Sequence, residues 1–235
     1  MNREHLLSRN INALDLVQSS EKHPTPFIKI YDGFFSSRSC DKLVQFFKNN
    51  KDSVAHLKTT GDIEKEREWA KLEPKKKSIT ARKSWGLDID HLISKDPKNK
   101  EFREIHKMIF ESFDMGIKKY LKDLPRQGLA GAKNFKDENY FITKYDKGDG
   151  HYSWHSDRGL INKNQTTSNR FISAILYLND VSEGGETEFW LDGFKVKPRK
   201  GRLLLFPSGW SYIHRGIMPI SGDKYICNNF FSVSY

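Results

Sequence analysis

His151-Tyr152-Ser153-Trp154-His155-Ser156-Asp157 is the stretch on which the reading of this chain turns. In an extended segment residues i and i+2 point to the same face, so His155 and Asp157 can grip one ion. A third donor of matching type, His214, stands in Ser211-Tyr212-Ile213-His214-Arg215-Gly216. It is so far along the chain that only a fold uniting distant strands brings the three together. The flanking sequence offers such strands: Tyr140 to Tyr145, Arg170 to Leu178, Glu186 to Leu191, Gly193 to Lys197, Arg202 to Phe206 and Lys224 to Val233 are short β-rich runs separated by turn residues. Closely spaced strands of this kind argue for a sandwich or a barrel.

Two imidazoles and a carboxylate on one side of a metal are the facial arrangement of non-haem Fe(II) oxygenases, with positions left open for cosubstrate and O2. Zinc hydrolases use similar donors, so the three ligands alone leave the metal open. Lys224 narrows the choice. It follows His214 by ten residues and heads Lys224-Tyr225-Ile226-Cys227, a run that reads as a buried strand. A cation buried without an anionic partner is prohibitively costly. The distal carboxylate of 2-oxoglutarate would be that partner while its 2-oxo acid end chelates the iron. Singly, a buried His is ordinarily a hydrogen-bonded core residue and a lysine after a turn is ordinarily solvated; the joint order and spacing overturn both readings.

At this point the chain resembles the Fe(II)/2-oxoglutarate dioxygenases, specifically their prolyl 4-hydroxylase branch. That family's pattern is His-x-Asp, a distal His and a basic residue shortly afterwards. The likeness runs over roughly residues 138 to 235 and extends weakly back to Phe27–Phe35. Tyr145 to Asp157 is similar to the family's Tyr-x-x-Gly…Tyr-x-x-His-x-Asp strand, and Arg170 to Asn179 to its Arg-x-x-Thr/Ser…Tyr-Leu-Asn strand. Gly184-Gly185-Glu186-Thr187-Glu188-Phe189 is similar to its Gly-Gly-Glu-Thr-x-Phe, and Gly201 to Phe206 to its Gly-x-x-Leu-x-Phe. One position departs: six residues after the basic residue many prolyl hydroxylases carry Trp, and this chain has Phe230.

The resemblance implies an α+β, mainly β fold, a double-stranded β-helix (jelly roll) core buttressed by N-terminal helices. It implies Fe(II) on His155, Asp157 and His214, with 2-oxoglutarate and O2 as cosubstrates and ascorbate as a reductant. Lys224 and the hydroxyl of Tyr177 would hold the distal carboxylate, and Tyr145 would line the cosubstrate pocket. Tyr152 would pack on a proline ring and Arg170 reach substrate carbonyls, while Phe230 takes the place of the family's Trp near the substrate. Trp154, Arg158, Trp190 and Trp210 are further candidates for the mouth, although large aromatics in strands are more often core. The implied reaction decarboxylates 2-oxoglutarate to succinate and CO2 and hydroxylates an unactivated C–H bond, here a prolyl residue in a peptide or protein. The alternatives are the same chemistry on a free amino acid, another side chain or a nucleobase, and, from a different class, a jelly-roll binding protein without turnover.

The 235 residues suffice for one well-packed domain, read as 27–235 after a polar segment 1–26, with the catalytic core at 138–235. Lysine and arginine number 40 against 30 acidic residues, a net charge of +10. That excess favours an acidic surface or substrate, but it forms no single stripe, so a basic enzyme with solvated charges is preferred to a nucleic-acid binder. Only two cysteines occur, Cys40 and Cys227, which excludes a disulfide scaffold and suits a reducing compartment. The N-terminus lacks the apolar run of a secretory signal and no stretch reads as a membrane span, so the expectation is a cytoplasmic protein.

His23-Pro24-Thr25-Pro26 precedes an extended segment at Phe27 to Tyr31. Cys40, Leu43, Val44 and Phe47 recur at i, i+3, i+4 and i+7, and Phe102, Ile105, Ile109, Phe113, Ile117 and Tyr120 repeat the pattern. Both predict amphipathic helices packed outside the sheet. Between them, 51–98 is rich in charge, including Lys75-Lys76-Lys77, and is read as an insertion holding at most one short helix, with Trp69 and Trp85 as its apolar anchors. Residues 159–169 read as a loop beside the metal strand, placed to close over a substrate.

Overall fold

The computed structural model describes residues 25–59, 81–125, 135–159 and 169–233. In chain order the elements are β1 (Lys29–Tyr31), α1 (Ser37–Asn49), β2 (Ala55–Thr59), β3 (Arg82–Asp88), α2 (Ile89–Lys95), α3 (Lys100–Asp123), β4 (Phe135–Asp137), β5 (Phe141–Tyr145), β6 (His151–His155), β7 (Arg170–Tyr177), β8 (Thr187–Phe189), β9 (Lys195–Val196), β10 (Leu203–Pro207), β11 (His214–Gly216) and β12 (Lys224–Val233). The strands form one sheet in the order β1-β10-β7-β12-β5-β3-β6-β11-β8-β9, with β2 on β3 and β4 on β12. Every pairing is antiparallel.

That sheet curls. Ile30, Leu204, Tyr177 and Ile226 from one end of the path share an apolar cluster with Phe189 and Val196 from the other, which a flat sheet cannot bring about. The result is a half-barrel of the jelly-roll kind, the α+β, mainly β architecture expected. Leu203-Leu204-Leu205-Phe206 in β10 shows no polar alternation because both faces are covered, all four side chains being wholly buried. Leu203 and Leu205 meet the helices, while Leu204 and Phe206 face the interior.

The helices cover the outer face of β10, β7, β12 and β5. Ser36 caps α1, its Oγ accepting the Ser39 amide at 3.1 Å, and Cys40, Leu43 and Phe47 are buried as their spacing predicts. Asn99 caps α3 in the same way at 3.2 Å, and Ile105, Ile109, Phe113, Ile117 and Tyr120 form its buried stripe. Gly116 lets α3 lie close to the sheet, since a Cβ there would come within 2.6 Å of Leu203 Cδ2. Among the described residues no helix is long and apolar enough to cross a membrane.

The charged segment 51–98 departs from its reading at both ends. Besides the short helix α2 it supplies β2 and β3, and β3 bridges β5 and β6, joining the two halves of the sheet. The inward side chains of β3 are polar and partner one another, Arg82 Nε donating to Ser84 Oγ at 2.9 Å while its guanidinium lies 4.8 Å over the Tyr152 ring. Trp85 anchors outward, donating to Asp146 at 2.6 Å. Residues 60–80, with Trp69 and Lys75 to Lys77, and loop residues 160–168 lie outside the described residues, as do residues 1–24.

Candidate active site

Strands β6 and β11 run side by side with His214 directly opposite His155, so strand pairing alone unites the two imidazoles. Asp157 follows two residues after β6, and the donor atoms of His155, Asp157 and His214 all lie within 4.8 Å of one another. His155 Nδ1 faces the Ser153 carbonyl at 2.8 Å and His214 Nδ1 faces that of Tyr212 at 3.0 Å. A carbonyl only accepts, so each Nδ1 carries a proton, and in a neutral ring of that tautomer Nε2 keeps its lone pair. The Nε2 atoms sit 3.4 and 3.5 Å from the two Asp157 oxygens. Tautomers held in this way are what a metal-ligating histidine requires.

Ser173 and Ser208 complete the setting. The Ser173 hydroxyl donates to Asp157 Oδ2 at 2.6 Å and lies 2.8 Å from Ser208 Oγ. Burial by itself would raise the Asp157 carboxyl, but His214, His155 and Ser173 outweigh it and hold the group well below the usual carboxylate range. Burial also pushes the His214 imidazole down to about 4, against the pull of Asp157, so it is neutral at pH 7. A carboxylate and imidazole nitrogens with free lone pairs fit Fe(II) by donor chemistry.

Two β-bulges aim the surrounding side chains. Between the pairs His214↔His155 and Gly216↔Tyr152, β6 carries one residue more than β11. The extra residue puts Tyr152 on the same face as His155, and the two rings stack at 3.5 Å between centroids. Between Phe231↔Ile172 and Ser232↔Arg170, β7 carries the extra residue, which brings Arg170 onto the face of Ser173.

Lys224, 2% exposed, opposes Tyr145 across β12 and β5. Its Nζ donates to the Gly185 carbonyl at 2.9 Å and lies 4.5 Å from the centre of the Tyr145 ring. Among the described residues it makes no ion pair. Burial pulls the ammonium down to about 8, with Glu186 opposing. Gly184 and Gly185, at φ of +72° and +76°, form the turn that aims this carbonyl, and a Cβ on Gly184 would meet Met218 O at 2.4 Å. Tyr177, wholly buried, donates to Thr187 Oγ1 at 2.7 Å in the same interior.

Beside the triad a cavity of about 740 Å³ is lined by Glu138, Phe141, Asn169, Arg170, Phe230 and Ser232 among others. Arg170 grips Glu138 Oε2 through Nε and Nη2 at 2.8 and 2.6 Å, and its Nη1 donates to the Asp157 carbonyl at 3.4 Å. Its guanidinium carbon lies 3.6 Å from the Phe230 ring centre. The structure therefore brings Arg170 and Phe230 together at the mouth. Arg158 is exposed, its amide donating to Ser208 O at 2.9 Å.

Trp154 is a correction. It is turned to the face opposite His155, edge-on to Trp190 at 5.1 Å and under the Arg215 guanidinium at 4.5 Å, so it leaves the substrate-contacting set. Sequence reasoning missed Arg82, which lies 4.8 Å over the Tyr152 ring and donates from Nε to Ser84 Oγ at 2.9 Å. It also missed Glu138. Ser173 stood in a matched motif without a role assigned to it.

An antiparallel jelly roll that gathers two imidazoles and a carboxylate into a group able to hold a metal ion, with a buried lysine nearby that makes no ion pair among the described residues, is the arrangement to compare with known proteins. Residues 140–232 match the 2OG-Fe(II) oxygenase superfamily, and the chain is similar over part of its length to prolyl 4-hydroxylases. It is 33% identical over 114 residues to prolyl 4-hydroxylase subunit alpha-1 of Gallus gallus, covering 43% of this chain and 22% of that protein. It is 32% identical over 111 residues to probable prolyl 4-hydroxylase 9 of Arabidopsis thaliana, covering 38% of each. The chain thus spans well under half the length of these relatives. Its fold is similar to that of a viral collagen prolyl hydroxylase from Paramecium Bursaria Chlorella virus-1, solved as a 2OG complex. The TM-score is 0.59 at 20% identity, over 88% of this chain and 97% of that one.

Proposed function

We propose that this chain is an Fe(II)- and 2-oxoglutarate-dependent dioxygenase that hydroxylates a prolyl residue in a peptide or protein, releasing succinate and CO2. One observation carries the reading: a lysine buried at 2% exposure, with no ion pair among the described residues, lies in the interior that the metal triad faces. Such a cation needs an anion from outside the chain. When bound, iron and 2-oxoglutarate supply the oxidising chemistry with O2.

The chain's own residues hold and orient. His155, Asp157 and His214 present three donors on one side, and Ser173 keeps the carboxylate turned toward them. Lys224 takes the distal carboxylate of 2-oxoglutarate as a charge-assisted pair. Tyr145 walls the cosubstrate pocket, and Tyr177 bears on the same carboxylate through the interior it shares with Thr187. Tyr152 and Phe230 offer rings to a substrate, and Arg170, fixed by Glu138, directs a guanidinium edge at its backbone. A peptide in polyproline II form suits an aromatic-lined mouth because its rigidity lowers the entropy lost on binding.

Ascorbate as reductant and a cytoplasmic, reducing setting belong to the same proposal; the setting is supported by two free, buried thiols, Cys40 and Cys227. Phe230 in place of the family's Trp favours a second reading, the same chemistry on another side chain. The test is anaerobic addition of Fe(II) and 2-oxoglutarate, read as the visible band of the chelate, followed by O2 and succinate measurement with Pro-rich peptides. The expected result is a chelate band and peptide-stimulated succinate. A band without stimulation by any Pro-containing peptide would refute the substrate, and no band would refute the class.

A further inference from the structure

We infer that Arg215 and Trp154 are positioning residues for the metal centre, acting from the opposite face of the sheet. The inference rests on the triad being the metal site. Each histidine ligand has one of them as an immediate neighbour: Trp154 precedes His155, and Arg215 follows His214. Since strand neighbours alternate between faces, the ligands point inward and these two point outward. The β6–β11 ladder is interrupted at this point. Between His214↔His155 and Gly216↔Tyr152, Ser153 and Trp154 stand against Arg215 alone. A bulge leaves ladder groups unpaired, so although β3 holds the other edge of β6, the contact between β6 and β11 lacks part of its backbone restraint beside the His155 ring.

The outer face provides the missing restraint. The Arg215 guanidinium lies 4.5 Å over the Trp154 ring, and so spans the bulge itself. On its other side Arg215 Nε donates at 2.5 Å to Glu188, its cross-strand partner on β8. Glu188 is 8% exposed, so this ion pair is shielded from water on the carboxylate side. Lys195 on β9 reaches the other Glu188 oxygen at 3.6 Å. Trp190 closes the row, edge-on to Trp154 at 5.1 Å, its amide donating to the Ile213 carbonyl at 2.9 Å. A continuous set of contacts thus crosses β6, β11, β8 and β9 directly behind the two imidazoles. On the inner face those imidazoles sit 4.3 Å apart between ring centres, a separation that the outer row fixes.

The experiment is anaerobic titration of the metal-free protein with Co(II), whose visible spectrum reports both affinity and coordination geometry. Thermal unfolding of the metal-free variants shows that they are folded. Arg215→Ala is expected to weaken Co(II) binding about 10- to 100-fold and to alter the spectrum, as loss of a ligand-orienting partner does elsewhere. Arg215→Lys is expected to recover part of the loss, because an ammonium keeps a cation over Trp154 without the planar stack. Should Arg215→Ala fail to fold, Glu188→Gln removes the charge from the same pair at constant shape and is expected to weaken binding in the same direction. A folded Arg215→Ala or Glu188→Gln protein with wild-type Co(II) affinity and spectrum would overturn the inference. Wild-type protein that takes up no Co(II) at all would instead overturn the metal reading beneath it.

Discussion

Replacing Lys224 by Met tests the anion subsite through two independent readouts. In the metal-free protein the ammonium is buried and its ordinary value of 10.5 is lowered to about 8. At roughly 1.4 kcal/mol per unit, that displacement corresponds to about 3 kcal/mol of folding free energy set against the charged form. Lys224→Met removes this cost but also leaves the Gly185 carbonyl without its donor, which costs about 1–3 kcal/mol. At pH 7 the two nearly cancel, so a single melting temperature decides nothing, whereas the pH dependence does. Below pH 8 the amine is charged in both folded and unfolded chains. Between about 8 and 10.5 the folded chain releases its proton while the unfolded chain keeps it, so stability contributed by this group rises with pH and then levels off. Urea unfolding from pH 7 to 10 is expected to show that rise in the wild type and its loss in Lys224→Met. In parallel, truncating one partner of a buried charge pair costs about 2–5 kcal/mol, on the order of 10²- to 10³-fold in Kd for 2-oxoglutarate. Titration of the Fe(II) chelate measures it. A variant that retains the wild-type pH slope, or whose 2-oxoglutarate Kd moves less than about threefold, refutes the assignment.

Gly184→Ala forces a side chain onto a backbone at φ +72° with Met218 O 2.4 Å from the new Cβ. It is expected to cost upwards of about 1–2 kcal/mol in urea unfolding and to weaken 2-oxoglutarate binding by displacing the Gly185 carbonyl. Ser173→Ala removes the donor to Asp157 Oδ2 and is expected to weaken metal affinity on the order of tenfold, measured by Co(II) titration, with little change in fold. Cys40 and Cys227 are wholly buried, and burial raises both thiols, Cys40 to about 11. A thiol reagent at pH 8 is expected to label neither in the native protein and both in denaturant, a difference read by absorbance or intact mass.

How far the site was legible in the sequence depended on which way polarity ran. His155, Asp157, His214 and Lys224 are chemically distinctive residues in ordered motifs, so the triad and its neighbouring lysine could be singled out although β6 and β11 themselves show no apolar alternation. Strand β3 could not. Its inward residues Arg82 and Ser84 are polar and find their partners in each other and in the Tyr152 ring, while outward Trp85 is large and apolar. This inversion, inside a charged stretch, reads as a solvated excursion. The Glu138–Arg170 pair was hidden for a different reason: the partners lie on separate segments, and only the bulge in β7 brings Arg170 to the face of Ser173. Trp154 was counted as a candidate for the mouth because it directly precedes His155 in the sequence. Simple alternation from His155 would have turned it outward, and only the bulge beyond it lets Tyr152 rejoin the inner face.

The interior also has an electrostatic order that ties its parts together. Asp157 is an anion that accepts from the Ser173 hydroxyl, whereas Lys224 and Arg82 are cations among tyrosines, one 4.5 Å from the Tyr145 ring and the other 4.8 Å from the Tyr152 ring. The aromatic faces make two inward cations tolerable in the absence of an anion, but they do not neutralise them. Adding a divalent metal beside Asp157 increases the positive charge of the same water-poor space, and a dicarboxylate relieves it. Each therefore binds more tightly when the other is present, and linkage makes the two enhancements equal. By this argument Lys224 acts on metal retention as well as on 2-oxoglutarate, although it touches no ligand atom. Its replacement by Met is expected to shrink the ratio between metal Kd values measured with and without 2-oxoglutarate, while improving metal binding to the protein alone.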